Sequence, residues 1–104
     1  MTTRAPLFAL ALLIPACATD RFAPPPISPG LVKRAKIDHT SPQQVANGRT
    51  LFLHRCLECH TLPVVTKYSR AEWPHLVSRM SARADLTPDE EQSIIAYLRA
   101  AANP

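Results

Sequence analysis

The chain has 104 residues, of which 46% are apolar, 19% charged and 6% aromatic, a composition that is neither disordered nor membrane-spanning. Its net charge of +4, from 12 Lys/Arg against 8 Asp/Glu, falls far short of the dense basic stripe of a nucleic-acid binder. Three cysteines exclude a multi-bridge disulfide scaffold, and eleven prolines, crowded toward the front, leave room for one small folded domain behind them.

Residues 1–18 read as an export signal. Arg4 supplies the positive start and Leu7-Phe8-Ala9-Leu10-Ala11-Leu12-Leu13-Ile14 the apolar stretch, which is shorter than the ~20 residues a bilayer span needs. Two cleavage readings compete. Ala16-Cys17-Ala18 suits ordinary cleavage after Ala18. Ile14-Pro15-Ala16-Cys17 resembles a bacterial lipobox, in which Cys17 becomes the lipidated first residue, although Pro15 is unusual there. An uncleaved anchor is the third reading. In all three the mature chain is expected outside the cytoplasm, in the periplasm or held at a membrane by its N-terminal anchor.

Residues 19–40 read as a Pro-rich tether. Ala23-Pro24-Pro25-Pro26-Ile27-Ser28-Pro29-Gly30 should be an extended, semi-stiff spacer, because proline lacks the amide donor and locks its own φ. Lys33, Arg34 and Lys36 follow. They suit a solvated basic stretch, or contact with anionic headgroups or an acidic partner. His39 sits in the same region and is expected to be solvated.

The folded domain is placed at residues 41–104. Its first helix should open with Ser41 as N-cap and Pro42 at the first helical position, present Val45, Leu51 and Phe52, and run to about His54 or Arg55. Gly48 inside it costs about 1 kcal/mol relative to alanine; close approach of another backbone is the usual compensation.

Directly after that helix comes Cys56-Leu57-Glu58-Cys59-His60, the C-x-x-C-H signature of c-type haem attachment. The spacing suits the chemistry. Two thiols add across the two haem vinyl groups, and the next residue, His60, is carried under the iron as proximal ligand, its other nitrogen needing an acceptor. Three rival readings explain less. A Cys56–Cys59 disulfide leaves His60 without a role. A zinc site drawing on His54 and His75 lacks a second C-x-x-C. A redox dithiol would want a βαβ frame. Export agrees with haem, since c-type attachment takes place outside the bacterial cytoplasm. Leu62-Pro63-Val64-Val65 should cover the haem edge.

Ser69-Arg70-Ala71-Glu72 signals a second helix through a capping box. Trp73, Leu76, Val77 and Met80 recur at helical spacing, Pro74 disturbs the first turns, and the end is expected near Arg83. The third helix has the clearest start: Thr87 as N-cap, Pro88 next, Glu90 completing a capping box, and Asp89, Glu90 and Glu91 at the positive end of the dipole. Ile94, Ile95, Tyr97 and Leu98 form its buried side, and Arg99 sits in its last turn. No segment alternates, so the class is all-α, with about three helices. So short a domain with so few large side chains makes a thin core and calls for a staple, such as a cofactor.

With these residues in view, the stretch from Ala46 to Ala101 resembles a small class I (monohaem) cytochrome c domain. Gly48-Arg49-Thr50-Leu51-Phe52, leading into Cys56 and His60, is similar to that family's first helix, and Ile94-Ile95-Ala96-Tyr97-Leu98 to its last. The resemblance implies helices wrapped around one covalent haem c, with the first and last crossing at a glycine and an aromatic, the positions of Gly48 and Tyr97. It also implies a distal methionine, which favours ferrous iron and raises the potential. Met80 is the only candidate after the leader, and its position 20 residues past His60 departs from the family, which usually places this ligand farther along. His75 as a second histidine ligand, a Met80 that only packs, and an open iron site stay as alternatives. Arg79 and Lys67 could pair with the propionates, and Trp73 suits the wall of the haem pocket better than an electron relay.

The function expected is transfer of single electrons between redox partner proteins. One rival is the cytochrome subunit of a periplasmic dehydrogenase, and another is a haem sensor with a displaceable sixth ligand. Nothing in the sequence supports hydrolysis: it has no plausible Ser/His/Asp set, no phosphate-binding glycine loop and no carboxylate pair placed for acid–base work, and the expectation is an electron-transfer protein rather than an enzyme.

Overall fold

The computed structural model describes residue 2 and residues 23–56 and 62–104. They form an all-α arrangement of four helices with no strands: α1 (Pro29–Ile37), α2 (Pro42–Arg55), α3 (Trp73–Ser81) and α4 (Pro88–Ala101), with a 3₁₀ turn at Val65–Lys67 between α2 and α3. None of these helices is long and apolar enough to cross a membrane.

Three of the four begin in the same way. A hydroxyl residue followed by proline caps α1 (Ser28-Pro29), α2 (Ser41-Pro42) and α4 (Thr87-Pro88). The hydroxyl oxygens accept the amides of Leu31 (3.2 Å), Gln44 (3.1 Å) and Glu90 (3.2 Å). Proline follows without loss, because its missing N–H would have been an orphan there. Glu90 Oε2 in turn accepts the Thr87 amide at 3.1 Å, closing the expected capping box.

The Ser69–Glu72 box also forms: the Ser69 amide donates to Glu72 Oε2 at 2.8 Å, and the Glu72 amide to the Ser69 hydroxyl at 3.3 Å. The Ser69 backbone bond, then its hydroxyl, hold the Glu72 carboxyl below the ordinary carboxylate range. Regular helix nonetheless starts only at Trp73, because Pro74 has no amide with which to extend the ladder upstream. The far end comes at Ser81, short of the expected Arg83. A run of turns follows, closed by the Ala84 amide on the Met80 carbonyl (3.0 Å) and the Leu86 amide on the Ser81 carbonyl (3.1 Å). Asp85, at φ 52°, takes the left-handed conformation that ends a helix.

The core is built on the crossing of α2 and α4. Val45 and Phe52 on one side meet Ile94, Tyr97 and Leu98 on the other, all fully buried. Gly48 sits at the closest point. A Cβ there would lie 1.8 Å from the Ser93 carbonyl oxygen and 3.0 Å from Tyr97 Cβ, so the approach expected of another backbone is present. Trp73 brings α3 into this core, edge-on to Phe52 and to Tyr68 with centroids 6.3 and 5.3 Å apart. Its indole N–H donates to the Val65 carbonyl at 3.1 Å. Glu91 of α4 bolts α3 in place by accepting the Ser78 and Ser81 hydroxyls, each at 2.8 Å.

The extended spacer expected over residues 19–40 is corrected in its second half, and the count of about three helices becomes four. Residues 29–37 are helical, and Leu31 and Ala35, one turn apart, are buried in the common core. Arg34 Nε donates to the Ala100 carbonyl at 2.7 Å. The proline run before α1 is irregular, as expected, but it is docked. Proline keeps its carbonyl, and Arg49 of α2 donates to the carbonyls of Pro25 (3.0 Å) and Pro24 (3.2 Å). The Tyr97 hydroxyl of α4 donates to Pro25 at 2.7 Å. Burial pushes the Tyr97 phenol up to about 12, against the opposing pull of Arg49. After α1, Asp38 accepts from Arg70 (2.7 Å) and Arg99 (3.1 Å), joining three parts of the chain.

Candidate functional site

The C-x-x-C-H motif begins where α2 ends. Cys56 is the C-cap residue of α2, its amide bonded to the Phe52 carbonyl, and its side chain is half-buried against the core. A sulfur placed by the last turn of a helix starts the motif from a fixed point. Cys59 and His60 lie outside the described residues, as does Cys17. Past the motif, Leu62 packs on the core and Val65 is buried in it, while Pro63 and Val64 are half-buried.

Met80 lies in the last turn of α3, half-buried. It follows Trp73 and Val77, both buried, at helical spacing, so it continues the inward face of α3. Leu76, Arg79 and Arg83 stand with it around a recess of about 240 Å³. His75, only two residues after Trp73, falls on the other side of the helix and is exposed. The two candidate axial ligands therefore occupy different faces: His75 is exposed, whereas Met80 is half-buried beside Leu76 at the edge of the core.

Arg55 connects the two ends. Its Nη2 donates to the carbonyls of Ala84 (2.8 Å) and Asp85 (2.9 Å), and Ala84 in turn bonds the Met80 carbonyl. The last turn of α2 and the turn that ends the methionine helix are thus tied together. Arg55 Nε is buried with no hydrogen-bond partner among the described residues. A buried donor left unpaired costs about 1–3 kcal/mol, and this one belongs to the residue beside the first thiol of the motif.

Other residues singled out from the sequence take plainer places. Trp73 belongs to the aromatic core. Arg79 is exposed, as are Lys67, whose Nζ stands 5.7 Å over the Tyr68 ring, and His54 and His39. Sequence reasoning missed Arg55, whose partners lie 29 and 30 residues away and give no local signal.

Set beside known proteins, the chain matches no protein-family model, no curated protein and no solved structure. The chain's donor chemistry suits a covalent haem in kind: two thiols two residues apart, an imidazole next to the second, and a thioether on an inward helix face. Arg55 Nε, one of two buried unpaired arginine nitrogens among the described residues with Arg99 Nε, stands beside the motif and would accept an acidic group such as a propionate as its partner.

Proposed function

We propose that this chain is an extracytoplasmic c-type cytochrome, which carries single electrons between redox partners through one covalently attached haem. The observation that carries the reading is Cys56-Leu57-Glu58-Cys59-His60. Each thiol would add its S–H across a vinyl double bond, sulfur to one carbon and hydrogen to the other. His60 would hold the iron from one side. When bound, the haem supplies one-electron redox chemistry; the chain supplies orientation, burial and axial ligands.

Three structural features support this. The C-cap position of Cys56 presents the first thiol from a rigid helix packed on the core. The crossing of α2 and α4 at Gly48, against Ser93 and Tyr97, matches the glycine-and-aromatic contact that the class I cytochrome c resemblance implies. Met80, on the inward face of α3, is better placed than exposed His75 to be the distal ligand. A protein thioether on ferrous iron favours an electron carrier over a ligand-binding sensor. The apolar leader, with Cys17 at its end, supports export and a membrane attachment.

The test is a visible spectrum of protein produced with haem-maturation machinery, oxidised and reduced. The expected result is haem that stays bound after denaturation, a low-spin c-type spectrum, and a weak long-wavelength ferric band of methionine ligation that disappears in Met80→Ala. Haem retained without that band would refute Met80 as ligand. No covalent haem, with Cys56 and Cys59 intact, would refute the whole reading.

A further inference from the structure

We infer that the outer face of α1 is a membrane-surface contact, which lays this end of the protein on a bilayer of anionic lipids. The helix is fixed with one face inward: Leu31 and Ala35 are buried, and Arg34 is bonded to the end of α4. Lys33 and Lys36 are consequently held outward, both exposed. Between residues 21 and 37 the sequence has four Lys/Arg and no acidic side chain, and the first acid after them, Asp38, is paired with Arg70 and Arg99.

The apolar surface points the same way. Among the described residues, the large hydrophobic side chains left exposed are Ile27 (39%) and Ile37 (69%). They bracket α1. A single exposed isoleucine needs no explanation. Ile27 just before the helix and Ile37 at its last residue, with lysines between and no acid, are two apolar points that can sink into the headgroup boundary while the cations meet phosphate; the helix's own apolar residues, Leu31 and Ala35, are turned to the core. Two lysines alone bind a bilayer weakly. They matter as a second signal on the proposed export reading, in which a membrane-attached leader just upstream would supply proximity. An acidic protein with an apolar patch would suit the same groups; the short stretch of chain from Cys17 to the docked Pro24 favours the bilayer, because on the proposed export reading it brings this face to lipid first.

The experiment uses the full chain carrying Cys17→Ser, so that no acyl group dominates, and reads co-sedimentation with vesicles. One set is phosphatidylcholine alone; the other contains about a third phosphatidylglycerol, for which each lysine should contribute about a fivefold gain. The expected preference for anionic vesicles is therefore about 25-fold, lost in Lys33→Ala/Lys36→Ala and at high salt. Ile37→Ser should weaken binding to both sets. All three side chains are exposed, so circular dichroism should show the variants folded. Equal partitioning into the two sets, or a preference that the double lysine variant keeps, would overturn the inference. So would variants that bind vesicles normally but lose capture of an acidic protein. Haem content does not enter this readout, so its failure and the failure of the cytochrome reading are separable.

Discussion

Replacing Gly48 by alanine opposes two well-defined effects. In an unconstrained helix interior the change would stabilise by about 1 kcal/mol, through backbone entropy. Here the new methyl carbon would start 1.8 Å from the Ser93 carbonyl oxygen and 2.6 Å from its carbon. Those atoms are α4 backbone and cannot swing aside. Reaching even 3.0 Å requires α2 and α4 to part by about 1.2 Å. A gap of that order forfeits a quarter to a half of the dispersion well of each contact across it, among them Phe52 against Tyr97. Overpacking usually costs about 1–3 kcal/mol, and a clash with rigid backbone falls at the upper end, about 3 kcal/mol, so Gly48→Ala should destabilise by about 2 kcal/mol net. For a domain of this size that is a fall in Tm of roughly 8–16 °C, measurable by urea or thermal unfolding. Gly30→Ala is the matched control. Its Cβ would meet nothing closer than Arg34 Nη1 at 3.8 Å, so it should stabilise by about 0.4–1 kcal/mol. A Gly48→Ala protein as stable as the parent, or more so, would refute the close crossing on which the core is built.

Tyr97→Phe should cost about 1 kcal/mol for the lost bond to the Pro25 carbonyl, and it should also remove a pH dependence. With its pKa raised to about 12, the folded phenol keeps its proton after the unfolded one has lost it at about 10. The stabilisation from the neutral phenol is thus complete below pH 10 and is lost as pH rises toward 12. Alkaline unfolding curves of parent and variant should converge over that window; parallel curves would contradict it. Asp38→Asn should lower stability by about 1 kcal/mol at low salt and less at high salt, since both its arginine pairs are partly exposed; denaturation at two ionic strengths checks this. Leu31→Ala, at a fully buried position in α1, should cost about 2–5 kcal/mol. If α1 were a loose spacer, the same change would leave the unfolding midpoint unmoved.

Legibility followed locality. Caps are made by residues three apart, and so Ser41, Thr87 and Glu90 announced α2 and α4 in the sequence. The glycine cost at Gly48 was legible too, because a residue unfavourable in a helix invites a reason. Ser28-Pro29 carried the same cap signature as the other two, with Leu31 and Ala35 spaced for one helical face. It was obscured by three consecutive prolines just before it, which read as a spacer. What no window could show is that Arg49 and Tyr97, 24 and 72 residues away, would grip the carbonyls those prolines still offer. At the candidate site the contrast recurs. The motif stands in five adjacent residues, whereas the link from Arg55 to the turn after Met80 depends on how α2 and α3 are each packed on α4.

The docked proline run changes what the N-terminal segment can do. A spacer running to residue 40 would place some 23 residues between Cys17 and the folded body, a reach of about 80 Å when fully extended. The first carbonyl held by Arg49 belongs to Pro24, only 7 residues after Cys17, which limits the reach to about 25 Å. With Cys17 acylated, the body would sit close to the lipid surface instead of sampling a wide volume, and α1 would meet the headgroups. An electron carrier of the proposed kind, held so, would meet a restricted set of partners. Those embedded in the same membrane, or docked on it, come within reach, and electrons would pass at the bilayer surface.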